Sequence, residues 1–198
     1  MSDNSNNNSS SSSSTGQLRQ DHVTVRRIRD IAQRCSDRLY AGAHVPLEDI
    51  KIISVVIEEF VDAFHHGKEE KAYFPANEYK SAQHAEEIRK FLIEHEFSRR
   101  VARMMLRSLE DWKKSRAGGG EDGREPVARF LKTYAIYVTD HTTKEERFFD
   151  MAEKEIGAGE DAELLRHYER CRRDVGGDAR IQELFRLIEY LEERDWMQ

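Results

Sequence analysis

Phe64-His65-His66-Gly67-Lys68-Glu69-Glu70-Lys71-Ala72-Tyr73-Phe74-Pro75 returns later in the chain as Asp140-His141-Thr142-Thr143-Lys144-Glu145-Glu146-Arg147-Phe148-Phe149. Aligned on Lys-Glu-Glu, both copies read His-x-x-Lys-Glu-Glu with aromatics following. A histidine and a glutamate four residues apart lie on one helix face, about 6 Å from each other. His65 therefore pairs with Glu69, and His141 with Glu145. Each pair continues an apolar stripe: His65 follows Val61 by four, and His141 follows Val138 by three. Glutamates on such a stripe are partly buried anions, costly unless a cation compensates them.

Outward from these two segments the chain reads as helix throughout. The periodicity predicts a first helix over about 17–41, carrying Leu18, Val25, Ile28, Ala32, Cys35 and Leu39 inward. Gly42 and Pro46 break it. A second helix over about 47–72 buries Ile50, Ile53, Ile57, Phe60, Val61 and Phe64, and Pro75 is expected to end it. A third runs over about 78–114 through Ile88, Phe91, Leu92, Ala102, Met105 and Leu109. Gly118–Gly119–Gly120 and Gly123 read as a flexible connection. A fourth helix opens near Glu125–Pro126, where proline suits the first turn, and carries Val127, Leu131, Tyr134, Val138, Phe148, Phe149 and Ala152. A fifth helical region follows Gly157 and Gly159, interrupted at Gly176–Gly177.

Four long helices with short connections predict an all-α, up-down-up-down four-helix bundle, with an extra C-terminal helical region. The expected organisation is a disordered Ser/Asn-rich tail over 1–16, a bundle over 17–156, and a helical extension packing on it over 157–198. Of 198 residues, 38% are hydrophobic and 35% charged, with only 3 prolines and a net charge of −6. A mean hydropathy of −0.81 and the lack of a long apolar run speak against a membrane span. The negative charge argues against nucleic acid as a partner. Two cysteines without C-x-x-C spacing form no disulfide framework. A cytoplasmic protein is expected.

One histidine per helix falls on a stripe that should be buried: His22, His65, His95 and His141. A single inward histidine is commonly a satisfied core residue, but four from four helices of one bundle are what a metal site needs. Imidazole and carboxylate without thiolate suit iron, manganese or zinc. On this reading Glu70 and Glu146 are ordinary solvated surface, as are His44 and His167. Tyr134 and Tyr137, before His141, read as core packing.

These residues resemble the hemerythrin-like, or HHE cation-binding, family. The matching pieces are Gln20-Asp21-His22, His65-His66-Gly67-Lys68-Glu69-Glu70, Glu94-His95-Glu96 and His141-Thr142-Thr143-Lys144-Glu145-Glu146. The resemblance implies two iron ions in an oxo- or hydroxo-bridged centre, with His22, His65, His95 and His141 as ligands and Glu69 and Glu145 as bridges. The family's oxygen carriers have a fifth histidine one turn before the third-helix histidine, and here that position is Phe91. His84 lies too far before His95 to replace it, about 16 Å along a helix. His66 is the best substitute as the seventh metal residue, against a surface or supporting role. The implied function is binding of oxygen or a related small ligand, for sensing, storage or redox protection. The alternative is an enzyme that decomposes peroxide or reduces oxygen or nitrogen oxide species at the same centre. No separate catalytic residue or organic cofactor site is assigned, and the oligomeric state is left open.

Overall fold

A computed structural model describes residues 13–117 and 122–198. Six helices account for most of them, with no strand among the described residues: α1 (Ser14–Tyr40), α2 (47–78), α3 (Ala82–Ala117), α4 (Arg124–Ala152), α5 (Ala158–Asp174) and α6 (Gly177–Glu192). None of these helices is long and apolar enough to cross a membrane.

Local chemistry sets the ends. Ser13 caps α1, its hydroxyl accepting the Gly16 N–H at 3.0 Å, so the helix begins inside the segment read as a tail. Ser14 is fixed further by Asp161, which accepts from its backbone N–H at 2.8 Å and from its hydroxyl at 2.6 Å. Residues 1–12 and Gly118–Gly120 lie outside the described residues. After α1, Gly42 takes φ +74°, a conformation side chains with a Cβ rarely adopt. Ser81 caps α3 through the His84 N–H at 3.0 Å. Gly123, at the start of α4, lies against Trp112, where a Cβ would come within 2.6 Å of the tryptophan Cβ. Gly176 and Gly177, at φ +107° and +75°, make the turn between α5 and α6.

The expectation that Pro75 ends the second helix fails. Helix α2 passes through two π-helical stretches, Ile57–His66 and Glu69–Tyr73, and returns to α-geometry over Phe74–Glu78. Gly67 N–H donates to Asp62 O and Phe74 N–H to Glu69 O, each five residues back. Pro75 sits in the first turn of the resumed α-register, where a missing N–H costs little.

Paired contacts give the helix directions. On α1 and α4, His22 meets Glu145 and Ser36 meets Ala128. On α2 and α3, Asp62 meets Arg99 and Phe74 meets Phe91. On α3 and α4, Phe91 meets Phe148 and Phe97 meets Tyr137. On α1 and α2, Thr15 meets Tyr73 and Asp21 meets Lys68. Rising number pairs with falling number at every seam, so neighbouring helices run antiparallel, up-down-up-down.

The interior has two apolar regions. The larger takes in Val25, Ile28, Phe60, Phe64, Val101, Tyr134 and Val138, and the smaller Leu18, Tyr73, Phe74, Ile88, Phe91, Phe148 and Phe149. On all four bundle helices the inward histidines fall between the two in sequence. A polar layer thus lies between apolar ones. Met105 is buried as expected for core, whereas Leu92 turns outward, 41% exposed.

Helices α5 and α6 lie against α1 and α2. Tyr168 and Leu164 join the smaller region, while Ile181, Leu184, Ile188 and Leu191 join the larger. Asp49, in the first turn of α2, anchors the chain end: it accepts from Trp196 Nε1 at 2.8 Å, Arg194 Nε at 3.1 Å and the Tyr190 hydroxyl at 3.2 Å.

Candidate metal centre

The polar layer contains His22, His65, His66, Glu69, His95, His141 and Glu145, all buried. Their donor atoms fall into two groups. His66, His95 and His141 form one, and His22, His65, Glu69 and Glu145 the other, with the atoms of each group within 4.8 Å of one another. The structure therefore brings together all seven candidates, His66 included.

The π-helical register explains how α2 supplies three of them. A π-turn takes up more than four residues, so consecutive residues rotate less about the axis than in an α-helix. His65 and His66 can then both face inward, their ring centroids 5.6 Å apart, with Glu69 at the same level. His66 stacks on His95 at 3.7 Å between centroids.

The two carboxylates lie between the groups. Glu145 places Oε2 at 3.2 Å from His22 Nε2, and Oε1 at 3.4 Å from His95 Nε2 and 3.2 Å from His141 Nε2. Glu69 places Oε1 at 3.6 Å from His65 Nε2 and Oε2 at 3.6 Å from His95 Nε2. Each carboxylate thus presents one oxygen to each group.

Around this centre stands a ring of acids that sequence reasoning missed. His22 Nδ1 meets Glu146 at 2.9 Å, His65 Nδ1 meets Asp21 at 3.5 Å, and His66 Nδ1 meets Asp62 at 3.3 Å. His95 Nδ1 meets Glu70 at 2.8 Å, and His141 Nδ1 meets Glu94 at 2.7 Å. Glu70 and Glu146 are therefore not free surface; each orients an imidazole. A carboxylate hydrogen-bonded to Nδ1, as on every ring but His65, holds the proton there and turns the Nε2 lone pair to the opposite side. Each acid is in turn held by a base: Glu146 by Arg19 at 2.6 Å, Asp21 by Lys68 at 2.7 Å, Asp62 and Glu70 by Arg99 at 2.7 and 2.6 Å, and Glu94 by Lys144 at 2.6 Å. Four of the acids could have been noticed in sequence as immediate neighbours of inward residues: Asp21 before His22, Glu70 after Glu69, Glu94 before His95, and Glu146 after Glu145.

Without a cation the layer is electrostatically strained. Both Glu69 oxygens are buried with no hydrogen-bond partner among the described residues, and burial beside Glu145 raises its pKa well above the usual carboxylate range. Glu145 is held well below that range: its burial opposes ionisation, but His141, His22 and His95 outweigh it. The same balance works on His141, where burial disfavours charge but Glu145 and Glu94 hold the pKa up at about 9. His65 is pushed down to about 4 by burial, and His66 well below its ordinary value by burial and neighbouring histidines. His95 Nε2 and His141 Nε2 are 3.1 Å apart although both rings have a carboxylate on Nδ1. Converging imidazole nitrogens and two unpartnered carboxylate oxygens fit a bound cation.

The remaining candidates fall outside both donor groups, though two of them pack on His141. Phe91 stands edge-on to His141, 5.9 Å between centroids. His44 is exposed, while Tyr134 is buried in the larger apolar region. Tyr137 stacks on His141 at 5.0 Å. His84 is buried against Phe148, its centroid 5.4 Å away, outside both groups.

An antiparallel helical bundle with a buried layer of imidazoles and carboxylates defines a class of cation-binding proteins. The family model of the hemerythrin HHE cation-binding domain matches residues 13–125, more than half of the chain, and the protein belongs to that family. The matched segment carries His22, His65, His66, Glu69 and His95; His141 and Glu145 follow it on α4. No curated protein and no solved structure matches the chain.

Proposed function

We propose that the protein holds two iron ions between its two donor groups and binds oxygen or a related small ligand there, serving sensing, storage or redox protection. The observation that carries this reading is the placement of Glu69 and Glu145, each with one oxygen toward either group. Carboxylates so placed can hold two cations close together, as in carboxylate-bridged bundle proteins. His66, His95 and His141 would hold one ion and His22 and His65 the other, with the two glutamates shared. Iron in such nitrogen and oxygen surroundings supplies reversible one-electron chemistry. The protein's own part is to orient the imidazoles through the outer acids and to surround the layer with apolar side chains.

The test is anaerobic loading with Fe(II), followed by metal analysis and an optical spectrum. About two iron per chain is expected, with near-ultraviolet bands that azide or oxygen alters. Glu69→Ala should lose at least one equivalent of iron, because both groups draw on that carboxylate. A variant that keeps its full iron content would refute the shared role of Glu69.

A second reading, decomposition of peroxide or reduction of oxygen or nitrogen oxide species, is favoured by the second group, which has two imidazoles against three in the first. Rapid oxygen evolution from added peroxide by the iron-loaded protein would decide for this reading.

A further inference from the structure

Five cations stand against the five outer acids, Arg26 joining Arg19 near Glu146 at 3.6 Å, and one cation does double service. Arg99 lies one helical turn after His95 on α3, about a quarter exposed, and its guanidinium spans two acids of α2. Its Nε donates to Asp62 Oδ1 at 2.7 Å, the oxygen that faces His66 Nδ1 at 3.3 Å. Its Nη2 donates to Glu70 Oε1 at 2.6 Å, the oxygen that faces His95 Nδ1 at 2.8 Å. A planar guanidinium can make two such bonds at once; an ammonium makes a single point contact. Arg19, Lys68 and Lys144 each hold only one of these acids.

The two rings behind Arg99 belong to the same group, His66, His95 and His141, which the carboxylates reach with one oxygen each. Beyond the oxygens shared with Glu69 and Glu145, charge donated to a cation there comes from the imidazoles and from whatever pulls on their Nδ1 protons. A free carboxylate on Nδ1 makes an imidazole a stronger donor and favours the more oxidised metal. A carboxylate whose oxygen is shared with a guanidinium pulls less.

We propose that Arg99 is a positioning residue that holds up the reduction potential of the metal bound by His66, His95 and His141, leaving the other metal to Arg19 and Lys68. The inference rests on the two-metal reading above. Arg99 touches neither metal nor small ligand; it acts through Asp62 and Glu70. Its removal frees both acids and takes a positive charge from beside the group, and both effects lower the potential.

The experiment is a mediated redox titration of the iron-loaded full chain, followed optically, with iron content and helicity measured on each sample. Arg99→Gln is expected to keep its iron and helicity while lowering one of the two couples. The expected size is at least tenfold in the oxidised-to-reduced ratio at fixed solution potential, about 59 mV for one electron. Arg19→Gln, which loosens Glu146 behind His22, should lower the other couple. Arg99→Lys, able to engage only one acid at a time, should move the same couple by less. Should Arg99→Gln not fold, Arg99→Lys decides alone: a lowered couple supports the proposal, and an unmoved one overturns it. Couples unchanged in folded Arg99→Gln, or both moved equally, overturn the proposal while leaving the metal reading intact. A wild-type chain that takes up no second iron overturns that reading first, and this inference with it.

Discussion

Five imidazoles in the core face two ways at once, a carboxylate on Nδ1 and the common centre on the other side. The inward half of this pattern was legible in the sequence, because each of His22, His65, His95 and His141 falls on its helix's apolar stripe. The role of the outer acids was not. Asp62 sits at a position indistinguishable from solvated helix surface, and even for the acids next to an inward residue the role depends on which helix lies alongside. The pH behaviour follows at this scale. His141, held up at about 9 without metal, stabilises the metal-free fold fully below its ordinary value of 6.5. That contribution is lost as pH rises through about 9. A metal on Nε2 excludes the proton, so the loaded protein does not share the loss. The gap in Tm between loaded and metal-free protein should therefore widen between pH 6.5 and 9 in thermal scans. A constant gap would mean that His141 gives up no proton to the metal.

At the scale of the element, α2 carries the information that the sequence concealed. Spacing alone placed Glu69 one α-turn after His65 and left His66 open between a ligand role and a surface one. The backbone resolves its placement by widening into π-geometry, which brings His66 to the same layer. No residue pattern announces that change, since the register depends on the fit between α2 and its neighbours. Pro75 misled for a related reason: it marks where α-geometry resumes, not where the helix stops. Gly67, inside the helix at φ −58° and ψ −39°, uses none of glycine's special freedom, and a Cβ there would meet nothing within 4 Å. Gly67→Ala should raise stability by about 0.4–1 kcal/mol, by restricting the unfolded chain. A higher urea midpoint with unchanged iron content is the expected result; a lower midpoint would show that the π-register needs glycine.

For the whole molecule, the bundle of four helices was readable from period and breakers, and the addition of α5 and α6 from the glycines that interrupt the C-terminal third. Where those helices sit was not readable, because their apolar stripes would suit any face of the bundle. The structure lays them on α1 and α2, with Asp49 binding the end of the chain through Tyr190, Arg194 and Trp196. Asp49→Ala leaves the buried Trp196 N–H without its acceptor, a cost of about 1–3 kcal/mol. The urea midpoint should fall accordingly and amide exchange over α6 should quicken. Iron content should hold, since Asp49 lies several turns before His65.

The clamps around the metal layer also have a sense of rotation. A base on α1 grips an acid of α4 that serves a histidine of α1; α2 grips α1, α3 grips α2 and α4 grips α3 in the same manner. Every joint between adjacent rods is thereby fastened at one height, as staves are by a hoop. Drawing any one rod outward strains two fastenings, so the waist of the molecule should be the last part to loosen while its ends fray.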